Sequence, residues 1–227
     1  MTSVERSVYR VVETFVSING EGAKSGSLAL FIRFQGCNLH CDYCDTEWAN
    51  RDDAPYTEWT DDEIIDLVRE SKVKNVTLTG GEPLIQKDID KLIDRLITET
   101  DCRIEIETNG TISIEKWDGY YNNLSFTLDY KLPGSGVPHF VHTKNYGYLS
   151  EEDTVKFVCS NEEDLDVARE VIEKYSLSEK CNVFLSPVFG KIEPSEIVDY
   201  MMKHRMNGVR LQLQLHKFIW DPEKRGV

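Results

Sequence analysis

Short apolar runs rich in β-branched and aromatic residues recur along the chain, and helix-period stripes separate many of them. The runs predict strands over Val11–Ser17, Leu28–Phe34, Asn75–Leu78, Arg103–Glu107, Leu124–Leu128, Thr154–Val158, Asn182–Leu185 and Val209–Leu213. Thr60-Asp61-Asp62-Glu63 reads as a capping box, with Ile64, Leu67 and Val68 forming an apolar stripe behind it. Ile89, Leu92, Ile93 and Leu96 predict a second helix. Leu165, Ala168, Val171 and Ile172 mark a third, and Ile197, Val198 and Met201 a fourth. This alternation favours a parallel sheet with right-handed crossovers. No amphipathic helix is visible between Glu107 and Leu124, and the stretch from Lys131 to Glu151 reads as loop. The helices are too few for an eight-fold barrel. The expected fold is α/β, an incomplete, modified (β/α) barrel of mostly parallel strands that spans 1–227 as a single domain.

Parallel sheets gather their ligand sites at the carboxyl ends of strands. The polar and glycine-rich motifs fall there. A cysteine-rich loop follows Phe34, Thr79-Gly80-Gly81-Glu82-Pro83 follows Leu78, and Thr108-Asn109-Gly110 follows Glu107. Asp129-Tyr130-Lys131 and Ser186-Pro187 occupy the same position on later strands. These motifs, far apart in sequence, are expected to share one mouth.

Composition narrows the chemistry. With 40% apolar residues the chain can bury a full core without disulfides. Its net charge of −14 repels phosphate backbones, so no nucleic-acid partner is expected, and an anionic substrate must be caught by a few placed cations. Met1 to Val16 carries no signal-peptide pattern, and no apolar run is long enough to span a bilayer. A cytoplasmic protein without a membrane partner is expected. There cysteines stay reduced, and clustered ones bind metal or catalyse. Cys102, Cys159 and Cys181 stand alone in or beside apolar segments and read as buried thiols.

The other three lie in Cys37-Asn38-Leu39-His40-Cys41-Asp42-Tyr43-Cys44. This C-x-x-x-C-x-x-C spacing can place three thiolates around one iron–sulfur cubane and leave the fourth iron open. A structural zinc site that includes His40 is the alternative, though His40 abuts Cys41 and closes a tetrahedron awkwardly. Incidental thiols are the third reading. Gly80-Gly81-Glu82-Pro83 allows close backbone approach to a ligand, but alone it reads equally as a tight turn. Arg33 lies in an apolar strand, where an unpaired charge is costly and a bidentate anion partner is expected.

The triad followed by Gly-Gly-Glu-Pro resembles the radical S-adenosylmethionine (SAM) superfamily. The likeness narrows with Ser17-Ile18-Asn19-Gly20-Glu21-Gly22, Phe31-Ile32-Arg33-Phe34-Gln35-Gly36-Cys37-Asn38-Leu39, Cys44-Asp45-Thr46, Glu107-Thr108-Asn109-Gly110 and Leu215-His216-Lys217. Together these resemble the 7-carboxy-7-deazaguanine synthase family from the N-terminal segment nearly to the last residue. The resemblance implies a shortened radical SAM barrel, a 4Fe–4S cluster, SAM and Mg²⁺. The implied reaction is a radical ring contraction of 6-carboxy-5,6,7,8-tetrahydropterin to 7-carboxy-7-deazaguanine with loss of ammonia, feeding queuosine and other 7-deazapurines. An electron donor such as flavodoxin and a homodimer are implied as partners.

By motif position, Cys37, Cys41 and Cys44 ligate the cluster. Tyr43, Asp45, Gly81, Asp129, Tyr130, Lys131, Ser186, Pro187, Val188 and Phe189 contact SAM, and Thr46 offers its hydroxyl to Mg²⁺. Ile18, Asn19, Gly20, Glu21, Arg33, Thr79, Glu107 and His216 bind the pterin, with Arg33 on its carboxylate and Glu21 and Glu107 on its aminopyrimidine edge. His139 and His142 are expected to be exposed loop residues, Lys217 reads as a surface cation, and no role is carried onto Val227. Two other functions share the triad. A glycyl-radical enzyme activase has similar length but would need an open mouth for a protein substrate. A zinc-stabilised or electron-transfer module is the non-enzymatic reading.

Overall fold

The structure, a computed structural model, describes residues 7–119, 123–137 and 141–227. The expectation for His139 falls outside them. The strands are β1 (Val8–Ile18), β2 (Leu28–Phe34), β3 (Thr57–Thr60), β4 (Asn75–Gly80), β5 (Arg103–Thr108), β6 (Leu124–Tyr130), β7 (Thr154–Cys159), β8 (Asn182–Pro187) and β9 (Val209–Leu211). The helices are α1 (Glu47–Asn50), α2 (Asp61–Ser71), α3 (Ile89–Glu99), α4 (Glu162–Tyr175), α5 (Pro194–His204) and α6 (His216–Ile219). Among the described residues one nine-stranded sheet runs β3-β1-β2-β4-β5-β6-β7-β8-β9, parallel from β2 through β9. Its two ends do not pair, so the barrel is open.

Two features depart from the sequence reading. The pairings of β1 with β2 and with β3 are antiparallel; for β2 the reason is that the connection 19–27 is too short for a crossover. β3 is a strand where the sequence shows only the capping box at the start of α2. Both are correct: Thr60 ends the strand, and its hydroxyl accepts from the Glu63 N–H while the Glu63 carboxylate accepts from the Thr60 N–H. Among the described residues the connections β5–β6 and β6–β7 hold only short 3₁₀ turns, as the missing amphipathic stripes implied.

The two faces of the sheet differ in chemistry. Val76, Leu78, Ile104, Ile106, Val155, Phe157, Val183 and Leu185 point to the helix side and are buried with Ile64, Ile65, Leu92, Ile93, Leu96, Leu165, Ala168 and Ile197. Each such side chain contributes about 1.5–3 kcal/mol on burial. The alternate positions turn inward and are polar. Among them are Arg33 on β2, Thr77 and Thr79 on β4, Glu105 and Glu107 on β5, Thr127 and Asp129 on β6, Lys156 on β7 and Ser186 on β8. Parallel strands covered on both sides are normally apolar throughout. The polar inner face therefore requires partners.

The segment 19–27 supplies them by folding into the barrel. The Asn19 amide donates to Glu105 Oε2 at 2.9 Å, and its carbonyl accepts from Thr77 Oγ1 at 3.0 Å. Thr127 Oγ1 donates to Glu105 Oε1 at 2.7 Å. Gly22 and the side chain of Gln212 exchange two hydrogen bonds, and Leu215 N–H donates to the Gly20 carbonyl. The loop after β1 is thus bolted to β4, β5 and the segment after β9.

Burial first, and the like charge of Glu107 second, raise the Glu105 carboxyl from 4.5 to about 7. The folded protein then holds a proton that the unfolded chain has released. This contribution to stability is complete below about pH 4.5 and is lost as pH rises toward 7. Glu105→Gln should remove the loss while Thr127 still pairs with the new amide. Denaturant unfolding at pH 5 and pH 8 should show the wild type losing stability relative to the variant, on the order of 3 kcal/mol at ~1.4 kcal/mol per unit. Parallel pH dependence in the two proteins would contradict a buried, proton-holding Glu105.

Candidate active site

The cysteine loop leaves β2 and lies across the carboxyl ends of four strands. Thr46 Oγ1 sits 3.5 Å from the Gly80 carbonyl at the end of β4. The Asn109 amide, just past β5, donates to Asn38 Oδ1 at 2.9 Å and approaches Cys37 Sγ at 3.7 Å. Asp42 N–H donates to the Ser135 carbonyl beyond β6, and Tyr43 Oη reaches the Val158 carbonyl on β7 at 3.4 Å. The shared mouth expected from the sequence is therefore present.

The double glycine has a structural reason. Gly81 N–H donates to the Phe34 carbonyl and Glu82 N–H to the Gly36 carbonyl, so the end of β4 runs hard against the root of the cysteine loop. A Cβ on Gly81 would collide with the Gly36 carbonyl and with Asn50 Oδ1; one on Gly80 would collide with the backbone of Phe34. The close approach read from the sequence is an approach to neighbouring backbone, beside whatever ligand lies there. Glu82, absent from the sequence-derived set, is fully buried and accepts from Leu84 N–H, Thr108 Oγ1 and Asn109 N–H. It ties the end of β4 to the loop that steadies Cys37.

All six cysteines are free thiols, with Cys102, Cys159 and Cys181 buried as expected. Cys37, Cys41 and Cys44 are half-buried. Burial pushes Cys41 up to about 11 against the pull of Lys131, and it also raises Cys37. Metal ligation overrides this by holding the thiolate. Two side-chain amides face these sulfurs: Asn109 on Cys37, and Asn50 on Cys44 at 3.6 Å. Among the described residues no three His, Cys, Asp or Glu side chains converge as one metal ion needs. The loop is not arranged as a single tetrahedron with His40.

Of the pterin-assigned residues, Arg33, Thr79 and Glu107 lie on β2, β4 and β5, while Ile18 ends β1, Asn19, Gly20 and Glu21 follow it, and His216 opens α6. Arg33 is the cross-strand neighbour of Thr79, and Thr79 Oγ1 donates to Glu107 Oε2 at 2.7 Å. Arg33 already has a carboxylate partner, since its Nε donates to Glu13 Oε1 at 2.8 Å. Its two terminal nitrogens make no bond among the described residues. Asn19 spends its side chain on Glu105 and Thr77 and pairs its backbone with Ser27 and Gly26. Ile18 closes β1 opposite Leu28. His216 Nδ1 rests directly on Gly20, where a Cβ would collide with it. Burial lowers the imidazole pKa, outweighing Glu21 and Asp45, which pull it up.

Glu21 is enclosed by protein donors. Ser186 Oγ donates to Oε1 at 3.0 Å, and Lys156 Nζ and the Gln214 amide donate to Oε2 at 3.1 Å each. Burial alone would raise its pKa, but Lys156 and these hydrogen bonds reverse the direction and hold it ionised. Lys156 also lies 3.7 Å from Asp129 Oδ2, which pairs with Lys131 Nζ at 2.9 Å. Among the described residues, Asp129 Oδ1 is buried without a partner, as is Asn50 Oδ1. Strand alternation turns Tyr130 the other way, onto Phe157 in the core. Pro187 and Val188 are buried; Phe189 is half-exposed and meets Phe218 edge-on, with Lys217 Nζ over its ring. Asp45 is exposed, and His142 is half-buried rather than exposed.

Sequence reading missed Glu105, Lys156, Gln212 and Gln214. Glu105 and Lys156 had a signal: each is a charge alternating with apolar residues in a strand, Ile104-Glu105-Ile106 and Val155-Lys156-Phe157. Gln212 and Gln214 alternate with Leu211, Leu213 and Leu215 in the same way, but their partners lie 190 and 193 residues away and leave no local trace.

A model of the radical SAM superfamily matches residues 31–129. The 7-carboxy-7-deazaguanine synthase of Clostridium acetobutylicum is 53% identical over 219 residues, 96% of this chain and 99% of that protein. The synthase of the same name from Chlorobaculum tepidum is 35% identical over 220 residues, 96% of each chain. The crystal structure of QueE from Escherichia coli, 20% identical, superposes with a TM-score of 0.68 over 91% of this chain and 93% of that one, which shows the fold. The triad, the Gly-Gly strand end and the open sheet therefore have one explanation: the chain belongs to the 7-carboxy-7-deazaguanine synthase family of radical SAM enzymes.

Proposed function

We propose that this chain carries out the ring contraction of 6-carboxy-5,6,7,8-tetrahydropterin to 7-carboxy-7-deazaguanine with loss of ammonia. The observation that carries the reading is the cysteine loop lying over four strand ends beside Arg33, Thr79 and Glu107. The glycyl-radical activase alternative has no support from the relatives, which bear the synthase name over nearly their whole length.

The residues fit the groups the family uses. Cys37, Cys41 and Cys44 would hold three irons of a 4Fe–4S cluster, with Asn109 and Asn50 offering N–H groups that tune it. Asp129 Oδ1 is a buried acceptor lacking a donor, and SAM, with its amino and hydroxyl donors, suits it. By motif position Tyr43, Asp45, Gly81, Lys131 and the 186–189 stretch are assigned to SAM as well. Thr46, held only by long contacts to Cys44 Sγ and the Gly80 carbonyl, can turn its hydroxyl to a Mg²⁺ that takes its other oxygens from substrate and water. When bound, the cluster and SAM supply the electron and the 5′-deoxyadenosyl radical that takes a substrate hydrogen.

The protein's own part is to bind and orient. Arg33 offers its terminal nitrogens to the pterin carboxylate while Glu13 fixes its Nε. Glu107, aligned by Thr79, accepts from the aminopyrimidine edge, and Glu21, His216 and the backbone of Ile18, Asn19 and Gly20 border the same pocket. The enzyme draws its electron from a reductant, with flavodoxin a fitting donor. A homodimer has support in β1, which beyond Val11 pairs on one side only and exposes Val16 beside Leu28. No helix among the described residues is long and apolar enough to cross a membrane, and the free thiols suit the cytoplasm.

Reconstituted anaerobically and given a reductant, SAM and the carboxytetrahydropterin, the protein should release the deazaguanine acid, detected by mass. Cleavage of SAM with no conversion of the pterin would refute the reading. Arg33→Lys keeps a cation for Glu13 but loses the planar fork. Its KM for the pterin should rise roughly tenfold, as for one lost charge-assisted hydrogen bond, with iron and sulfide content unchanged. If cluster content falls with activity, Arg33 serves the fold instead.

A further inference from the structure

Lys156 has no place in the family-derived site, yet it is the cation between that site's two halves. It projects inward from β7 with its side chain only 11% exposed. Its Nζ lies 3.1 Å from Glu21 Oε2 and 3.7 Å from Asp129 Oδ2. Glu21 belongs to the pterin-facing loop, 135 residues away, and Asp129 to the SAM-facing strand end. Asp129 in turn pairs with Lys131. The four side chains form a buried line of alternating charge, Glu21–Lys156–Asp129–Lys131, running from the substrate loop toward the cysteine loop.

A buried cation shared by two carboxylates fixes both. Removing it leaves two ionised groups facing each other without compensation, and each turns to whatever donor it can find. Lys156 can also move toward either partner. A donor arriving at Glu21 weakens that carboxylate's hold on Lys156 and frees the ammonium for Asp129. By linkage, a change at Asp129 is felt at Glu21 to the same degree.

We propose that Lys156 is a positioning residue for both half-sites, orienting Glu21 for the pterin and Asp129 for SAM and coupling binding at the two. The inference rests on the functional reading above. It is tested on anaerobically reconstituted holoenzyme by measuring SAM affinity through the cluster's electron paramagnetic resonance spectrum, and KM and kcat for the carboxytetrahydropterin. Glu21→Gln should raise the pterin KM, and Asp129→Asn should weaken SAM binding. Lys156→Met should do both, each roughly tenfold, with wild-type iron content.

Coupling has a further signature that needs no pterin. Glu21→Gln should shift SAM affinity in the wild-type background and leave it unmoved in Lys156→Met. Should Lys156→Met fail to fold, the charge-compensated pair Lys156→Met with Glu21→Gln serves in its place and should still bind SAM weakly. Wild-type SAM affinity in either variant overturns the proposal, as does additivity of Glu21→Gln and Lys156→Met. A wild-type enzyme that binds SAM but never converts the pterin would refute the functional reading instead, and the SAM measurements would still judge Lys156.

Discussion

Titratable groups inside a protein must be paired or hydrogen-bonded, and most of this fold's departures from a plain parallel barrel follow from that requirement. The inner face of the sheet carries Glu105, Glu107, Asp129 and Lys156 where such strands usually carry valine or isoleucine. Taken alone, each would be expelled or neutralised. Lys156 compensates Glu21 and Asp129, Lys131 compensates Asp129, and Asn19 with Thr127 satisfies Glu105. The loop 19–27 therefore cannot swing into solvent without stranding buried carboxylates. It becomes a wall of the site because the interior needs its polar atoms.

The second constraint is steric. β2 and β4 converge so tightly at their ends that only glycine fits at 80 and 81. That convergence sets the direction in which the chain leaves Phe34, and so the path of the cysteine loop over β4, β5, β6 and β7. Glu82, Asn109 and Asn38 then lock the loop through hydrogen bonds of 2.7 to 3.0 Å. The placement of three thiols is thus an outcome of backbone packing and of the polar contacts behind them.

Periodicity revealed what is local. Strand positions, the capping box at Thr60 and Glu63, and the four amphipathic helices were legible because burial on one face leaves a period in the sequence. β3 was not, because its last residue is also the helix cap and its pairing with β1 is long-range. The antiparallel course of β1 follows from a connection length that periodicity does not read. The three cysteines and Arg33 announced themselves by spacing and by a charge in an apolar strand. Glu105 and Lys156 sent the same signal, but the family motifs gave them no role. The partners of Arg33, Asn19 and Glu21 were invisible, since hydrogen bonds across 20 to 193 residues leave no local pattern.

An acidic chain that acts on a carboxylated pterin has an electrostatic problem, and the same pairings resolve it. Among the described residues, Arg33, Lys131 and Lys156 carry cations on the inner side of the sheet or just past its strand ends. The two lysines are bound to internal carboxylates, so their charge is largely cancelled at close range. Arg33 differs because Glu13 engages only Nε and leaves the guanidinium fork free. In this arrangement the attraction for an anion is confined to one planar, geometrically selective group. Non-carboxylated pterins would gain little there, and a diffuse polyanion would meet the −14 surface before it reached the fork. If Arg33 takes the pterin carboxylate as proposed, selectivity for one small acid follows from which cations the protein has already paired, with Lys156 held by Glu21 and Arg33 left its fork.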